Sequence, residues 1–290
     1  MAINNGLFVG LFCAVTCMVS GAALAQERTQ EETLYYTDPT VAAPGRTVLG
    51  VSGELWGVYG PESYHVNFNS PTGPLKTSNV TAYQYGGSAY IGRGDWTLLL
   101  EGLTGRSTRS RVATLGTGTT PYTLSYPLEQ WDLSLRYTFS KVNWGRVTPY
   151  LVGGFDTLHT PQTYKATAPN VIYAYTGTST LDQDLRYNTA YLGAGILYEF
   201  NAKAGFRFDL DAGVGTASSR FTNLLPSLAA INPKATGIGG AVLLHTTLYY
   251  KVLPELTVQV GLKGAAIANS KVPPREGIGA YISAGYIHQF

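Results

Sequence analysis

The chain is short of cysteine, charge and long apolar runs, and each shortage excludes something. Both cysteines, Cys13 and Cys17, lie in an N-terminal apolar run from Leu7 to Val19. From residue 26 onward none remains, which excludes disulfides, thiolate nucleophiles and a Cys-ligated zinc site there. Charged residues are 13% of the chain, about half of the ~25% usual in soluble domains. The net charge is only +2 and no basic block occurs, so nucleic acid is not an expected partner. The 4 histidines are His65, His159, His245 and His288. None is paired at metal-ligand spacing, and no His-Glu-x-x-His motif or phosphate-cradling glycine loop accompanies them. No cofactor is therefore expected. Beyond the N-terminal run, no apolar stretch approaches the ~20 residues that a helix needs to cross a bilayer.

The N-terminal run is itself too short for a membrane span. It leads into Ala23-Leu24-Ala25, a small-x-small site, so residues 1–25 read as a signal peptide cleaved after Ala25. Its first six residues lack the usual Lys or Arg. Residues 26–45 carry Glu27, Glu31, Glu32, Asp38, Pro39 and Pro44. This composition predicts a flexible periplasmic lead-in without fixed structure.

From Arg46 the sequence changes to apolar residues on alternate positions, the period of a β-strand with one greasy face. About ten such runs follow: Thr47–Tyr59, Val80–Ile91, Trp96–Thr104, Leu128–Phe139, Val147–Thr157, Leu185–Phe200, the run around Phe206–Val214, Ile238–Lys251, Leu256–Ala268 and the C-terminal run. In the seventh, Phe206, Phe208, Leu210, Ala212 and Val214 alternate with Arg207, Asp209 and Asp211. The links alternate in length. Gly92–Asp95, Lys141–Gly145, Asn201–Gly205 and Leu253–Glu255 are tight. Gly60–Asn79, Gly105–Tyr126, Thr160–Asp184 and Ser218–Thr236 are long, and Asn269–Glu276 is intermediate. Short turns on one side and long loops on the other predict an up-and-down antiparallel barrel, which in lipid must close because an open edge cannot be satisfied. Ten strands fit best, with eight or twelve as alternatives. Trp96, Tyr137, Phe139, Tyr198, Phe200, Phe206, Phe208, Tyr250 and Phe290 fall near the short turns, as an interfacial aromatic girdle requires.

The final run places Ile278, Ala280, Ile282, Ala284, Tyr286, His288 and Phe290 on one parity. A last strand of this pattern closing on Phe resembles the C-terminal signature of bacterial outer-membrane β-barrels. The resemblance covers residues 46–290 and picks out no subfamily. It implies a porin-like transmembrane barrel in the outer membrane of a Gram-negative bacterium. It also implies surroundings of outer-membrane lipid and lipopolysaccharide, a monomer or small homo-oligomer, and Phe290 as a signal read by the assembly machinery. A soluble lipocalin-like barrel or sandwich shows the same alternation turned inside out. Against it stand the strand length, about 11 to 14 residues where soluble sheets have ~5–6, and the regular alternation of loops.

On the inner parity lie Glu54, Glu101, Asp132, Arg136, Asp156, Arg207, Asp209, Asp211, His245, Lys251 and Lys263. They read either as a selectivity or binding lining, or as an ion-pair network filling a narrow lumen. Glu199 and Arg207 are expected to pair across the Asn201–Gly205 turn. The function expected is non-enzymatic: a narrow pore, or a structural barrel displaying loops. Adhesin-like binding through the Tyr-rich loops is the alternative. A membrane-embedded hydrolase is a third reading. Omptin-like surface proteases share the barrel size, and the nearest acid–His group to theirs is His159 with Asp156, Asp182 and Asp184, but no omptin motif surrounds it.

Overall fold

In a computed structural model the described residues are 38–42, 46–60, 80–115, 118–142, 144–166, 179–222, 234–268, 272 and 275–290. The expected signal peptide, His65, nearly all of the Gly60–Asn79 link and the middle parts of the other long links lie outside them. Ten strands run in chain order: β1 Thr47–Gly60, β2 Val80–Arg93, β3 Trp96–Leu115, β4 Gly118–Thr138, β5 Val147–Ala166, β6 Ser179–Glu199, β7 Ala204–Thr222, β8 Lys234–Lys251, β9 Leu256–Ile267 and β10 Arg275–Gln289. Each pairs antiparallel with its sequence neighbours, and β1 pairs with β10, so the sheet closes into a barrel. With an even strand count both ends of the barrel chain sit at the short-turn end. There Thr47 and Phe290 exchange both backbone hydrogen bonds, at 2.9 and 3.1 Å. Gly94 and Gly145 supply the positive φ that two of the short turns need.

Period two does what a bilayer demands. Leu49, Val51, Leu55, Leu98, Leu100, Leu133, Leu135, Leu210 and Val214 point outward and are exposed on the barrel wall. Glu54, Glu101, Asp132, Arg136, Asp209 and Asp211 are buried inside. Such an apolar belt around a charged interior is stable only in lipid, so the chain is a transmembrane barrel of the outer-membrane type. At the short-turn end, outward aromatic rings stand in contact: Trp96 with Tyr137 at 4.8 Å, Tyr137 with Phe139 at 5.0 Å, and Tyr198 with Phe200 at 5.3 Å. Phe290 is outward too and 66% exposed.

Three expectations change. The strands are longer than the alternation suggested. β3 and β4 stay paired up to Leu115 opposite Gly118, so the link expected at Gly105–Tyr126 is mostly hairpin. β5 and β6 likewise pair out to Ala166 and Ser179, and β7 and β8 to Arg220 and Lys234. Past the membrane the outward face meets water and the buried inward face carries polar residues such as Thr160, Gln162, Gln183 and Ser219, so the apolar alternation that marks a strand stops while the backbone ladder continues. Second, residues 38–42 of the presumed lead-in are not free. Asp38, Thr40, Val41 and Ala42 are buried in the periplasmic mouth of the barrel. Third, the register sets Gly205, not Arg207, opposite Glu199, and Arg207 turns inward to Asp38.

Among the described residues the barrel wall is uneven. β3 to β8 have 18 to 21 residues, whereas β9, β10, β1 and β2 have 12 to 15. At ~3.4 Å per residue and ~40–45° of tilt, a 20-residue strand such as β3 rises about 50 Å, roughly twice the ~25 Å apolar band. The six longer strands therefore form a tall wall that stands out of the membrane on the long-loop side.

Candidate functional site

The inward side chains form three stacked layers, each built by residues two apart on neighbouring strands. The periplasmic layer is organised by Asp38. Its backbone turn is closed by the Thr40 N–H, which donates to Asp38 Oδ1 at 2.8 Å. Asp38 Oδ2 lies 3.4 Å from Arg207 Nη1 and 3.7 Å from Arg136 Nη1. Arg136 also donates to Thr40 Oγ1 and covers the Tyr150 ring at 5.3 Å. Thr97 Oγ1 donates to the Thr40 carbonyl at 2.8 Å. Burial opposes ionisation of Asp38, but the two guanidiniums and the two Thr40 hydrogen bonds together outweigh it and hold the carboxyl below its ordinary range. Val41 packs with Tyr150, Val152 and Leu197, and Ala42 with Val48, Tyr90 and Ile287. Five residues of the N-terminal segment thus cork the mouth.

The middle layer holds most of the charge. Lys263 reaches across the lumen to Glu101 and lies 5.1 Å from the Trp56 ring centre. Trp56 stacks on Tyr281 at 4.4 Å and donates Nε1–H to Glu54 at 2.9 Å. Tyr191 donates its hydroxyl to Asp132, 3.0 Å from both oxygens. His245 sits directly opposite Asp209 in the β7–β8 ladder, with Nδ1 2.7 Å from Asp209 Oδ2. Tyr150 donates to the other oxygen of Asp209. These groups surround a cavity of ≈ 90 Å³, room for only a few waters.

Above it the lumen closes again. Asp156 is held by Arg275, and Gln130 Nε2 donates to it at 2.7 Å. Beyond these, Leu128, Leu158, Leu185, Tyr187, Ala217, Ala241 and Ile267 meet in an apolar plug, with Val272 of the β9–β10 link turned in against them.

Every candidate lining residue, Glu54, Glu101, Asp132, Arg136, Arg207, Asp209, Asp211, His245 and Lys263, points into this lumen. Three contributors escaped the sequence. Asp38 lay in a segment with no periodic pattern. Tyr150 and Tyr191 lay on the inner parity, where a tyrosine reads as filler until its hydroxyl is matched to Asp209 or Asp132. The Asp209–His245 juxtaposition depends on register across a long link, which turn chemistry does not set.

At the long-loop rim, His159 Nε2 lies 2.8 Å from Asp184 Oδ1, and Nδ1 lies 3.3 Å from Glu129 Oε2. Arg186 pairs with the same Asp184 at 3.2 Å. Asp156 belongs to the lumen, and Asp182 accepts from Thr163 Oγ1 at 2.8 Å. Of the four residues in the expected acid–His group, only His159 and Asp184 are brought into contact in this rim cluster.

No protein-family model matches the chain, and comparison with curated proteins gives no match. Among solved structures, it is similar to the outer membrane protease OmpT from Escherichia coli, with 13% identity, a TM-score of 0.54 and coverage of 88% of this chain and 100% of that one. It is also similar to Ail, the attachment invasion locus protein of Yersinia pestis, at 11% identity, TM-score 0.34 and coverage of 84% and 99%. Neisserial surface protein A matches at 11% identity, TM-score 0.32 and coverage of 84% and 97%. At this identity the OmpT likeness establishes a shared outer-membrane barrel fold.

Proposed function

We propose that this chain is a closed outer-membrane barrel that acts through its exterior and its raised long-loop wall, as a structural or surface-binding protein and not as a pore. One observation carries the reading: the lumen is corked by residues 38–42 below and by the Leu128–Leu158–Leu185–Ile267 plug above. Between them lies a cavity of ≈ 90 Å³, closed to a hydrated ion by the packed side chains on either side. The tall wall β3–β8 supports the second half of the reading, since a barrel that only had to span would need strands of about 9–11 residues. Reconstitution into planar bilayers tests it. The expected result is no stepwise conductance from the full chain. Steady single-channel steps would overturn the closed reading and restore the pore.

The hydrolase reading has one contact in its favour, the His159–Asp184 pair. A general base, however, needs a ring nitrogen free to take the substrate's proton. Both nitrogens of His159 already face carboxylates. A cross-strand ion-pair ladder accounts for the cluster. His159→Ala should leave any peptide- or ester-cleaving activity of the purified barrel unchanged. Abolition of a measurable activity by this change alone would revive the enzyme.

A further inference from the structure

We infer that Asp209, Asp211 and His245 form a binding site for one divalent transition-metal ion of the zinc class in the barrel interior. The ligand atoms of the three all lie within 4.8 Å of one another. They are held by regular backbone: Asp209 and Asp211 are two apart on one face of β7, and His245 is the direct β8 neighbour of Asp209.

The observation that points to a ligand is Asp211. Its side chain is 0% exposed, no protein donor hydrogen-bonds either carboxylate oxygen, and its nearest acidic neighbour is the Asp209 carboxylate. Its Oδ2 faces His245 Nδ1 from 3.5 Å. Space is made for it by Gly193 on β6, where a Cβ would come within 1.8 Å of Asp211 Oδ1. A buried carboxylate with no donor is costly unless a cation or a proton compensates it.

The surrounding charge leaves that role open. Arg136 and Arg207 converge on Asp38. Lys263 is taken by Glu101 with Glu54 close to the same Trp56. Asp132 has the Tyr191 hydroxyl. Among the described residues, His245 is the counter-group in ion-pair contact with Asp209 and Asp211, while Arg207, committed to Asp38, reaches Asp209 only through its longer-range field. An imidazole with two carboxylates is a borderline N/O donor set of the kind that suits zinc, with an open fourth position for a cavity water. At ordinary Zn–N and Zn–O lengths the Nδ1–Oδ2 separation would widen from 2.7 Å to about 3.3 Å, a side-chain adjustment only. Tyr150, which donates to Asp209, would orient that ligand as an outer-shell partner.

The test uses the full barrel, extracted, unfolded in urea and refolded into detergent micelles with Co²⁺ or Zn²⁺ present, so that access through the plugs is not required. After desalting, metal content and the Co²⁺ visible spectrum are read, with heat-modifiable gel mobility confirming closure. The expected result is one retained equivalent with a spectrum of nitrogen–oxygen coordination. Asp211→Asn and His245→Gln should fold and bind at least ~100-fold more weakly, the upper end of what even outer-shell losses cost. His159→Ala should retain the ion. Failure of the folded wild-type barrel to retain metal would overturn the site and leave a proton as the compensating cation. Undiminished retention in Asp211→Asn, or loss only in His159→Ala, would overturn it equally.

Discussion

Along β7, outward and inward residues alternate one by one, yet they obey different physics. Phe206, Phe208, Leu210, Ala212 and Val214 face lipid; beyond the two girdle rings, nothing about their role depends on which apolar residue each one is. Arg207, Asp209 and Asp211 face the lumen: Arg207 depends on Asp38, Asp209 on His245 and Tyr150, and Asp211 lies against His245. The outer face needs only a match between residue and solvent. The inner face needs pairs, and its pairs reach across as many as 169 residues of sequence, as between Arg207 and Asp38. One strand thus carries a tolerant surface and a demanding one.

The comparison breaks most visibly at Lys263. Removing one partner of a buried pair strands the other, so Lys263→Met should cost ~3–5 kcal/mol in urea unfolding from vesicles. The double change with Glu101→Gln should recover much of that loss. If the two single losses simply add, the pair is not coupled and the lumen is no more particular than the belt.

A charge on the tolerant face comes next. Leu210→Arg should cost ~2–4 kcal/mol near the bilayer midplane. The neighbouring Asp211→Asn, in metal-free barrel, should be neutral or stabilising because it removes an uncompensated buried charge. Equal losses at the two positions would undo the facing assignment.

The N-terminal cork gives a smaller, pH-dependent effect. The folded state lowers the Asp38 pKa, so its contribution is fully present above the unfolded value near ~3.9. It is lost as pH falls through the lowered folded value. The urea midpoint of the native barrel should therefore drop more steeply below about pH 4 than that of Asp38→Asn, by the ~1.5–3 kcal/mol of a hydrogen bond to a charged group. Parallel profiles would mean that the cork is held by Val41 and Ala42 alone.

Phe290 should show the smallest effect on stability. It is exposed, and its backbone bonds to Thr47 lie at a strand end that frays readily. As the proposed assembly signal, its deletion should nonetheless lower the heat-modifiable, membrane-inserted fraction in cells. Undiminished insertion would leave Phe290 as one more ring of the aromatic girdle.

What could be read from residues alone follows the same division. Leu98 alternating with Thr97, or Leu210 with Asp211, already says which side meets lipid, because solvent matching is a property of each position by itself. The tight turns at Gly94 and Gly145 carry their own chemistry, so the hairpins they join could be placed. The strand ends past Thr104 and Thr157 could not, since the outward face meets water and the buried inner face includes polar residues such as Thr160 and Gln162, so the alternation fades. Nor could the Asp38 cork, the Asp132–Tyr191 bond or the Asp209–Asp211–His245 cluster. These depend on how the strands are staggered when β1 meets β10, and closure of the barrel is a condition on all ten strands at once. Facing was decided by local sequence, residue by residue against the solvent. Partnership was decided only by the closed tertiary structure, because a charge inside a sealed lumen has no water to fall back on and must use whatever the stagger brings opposite it.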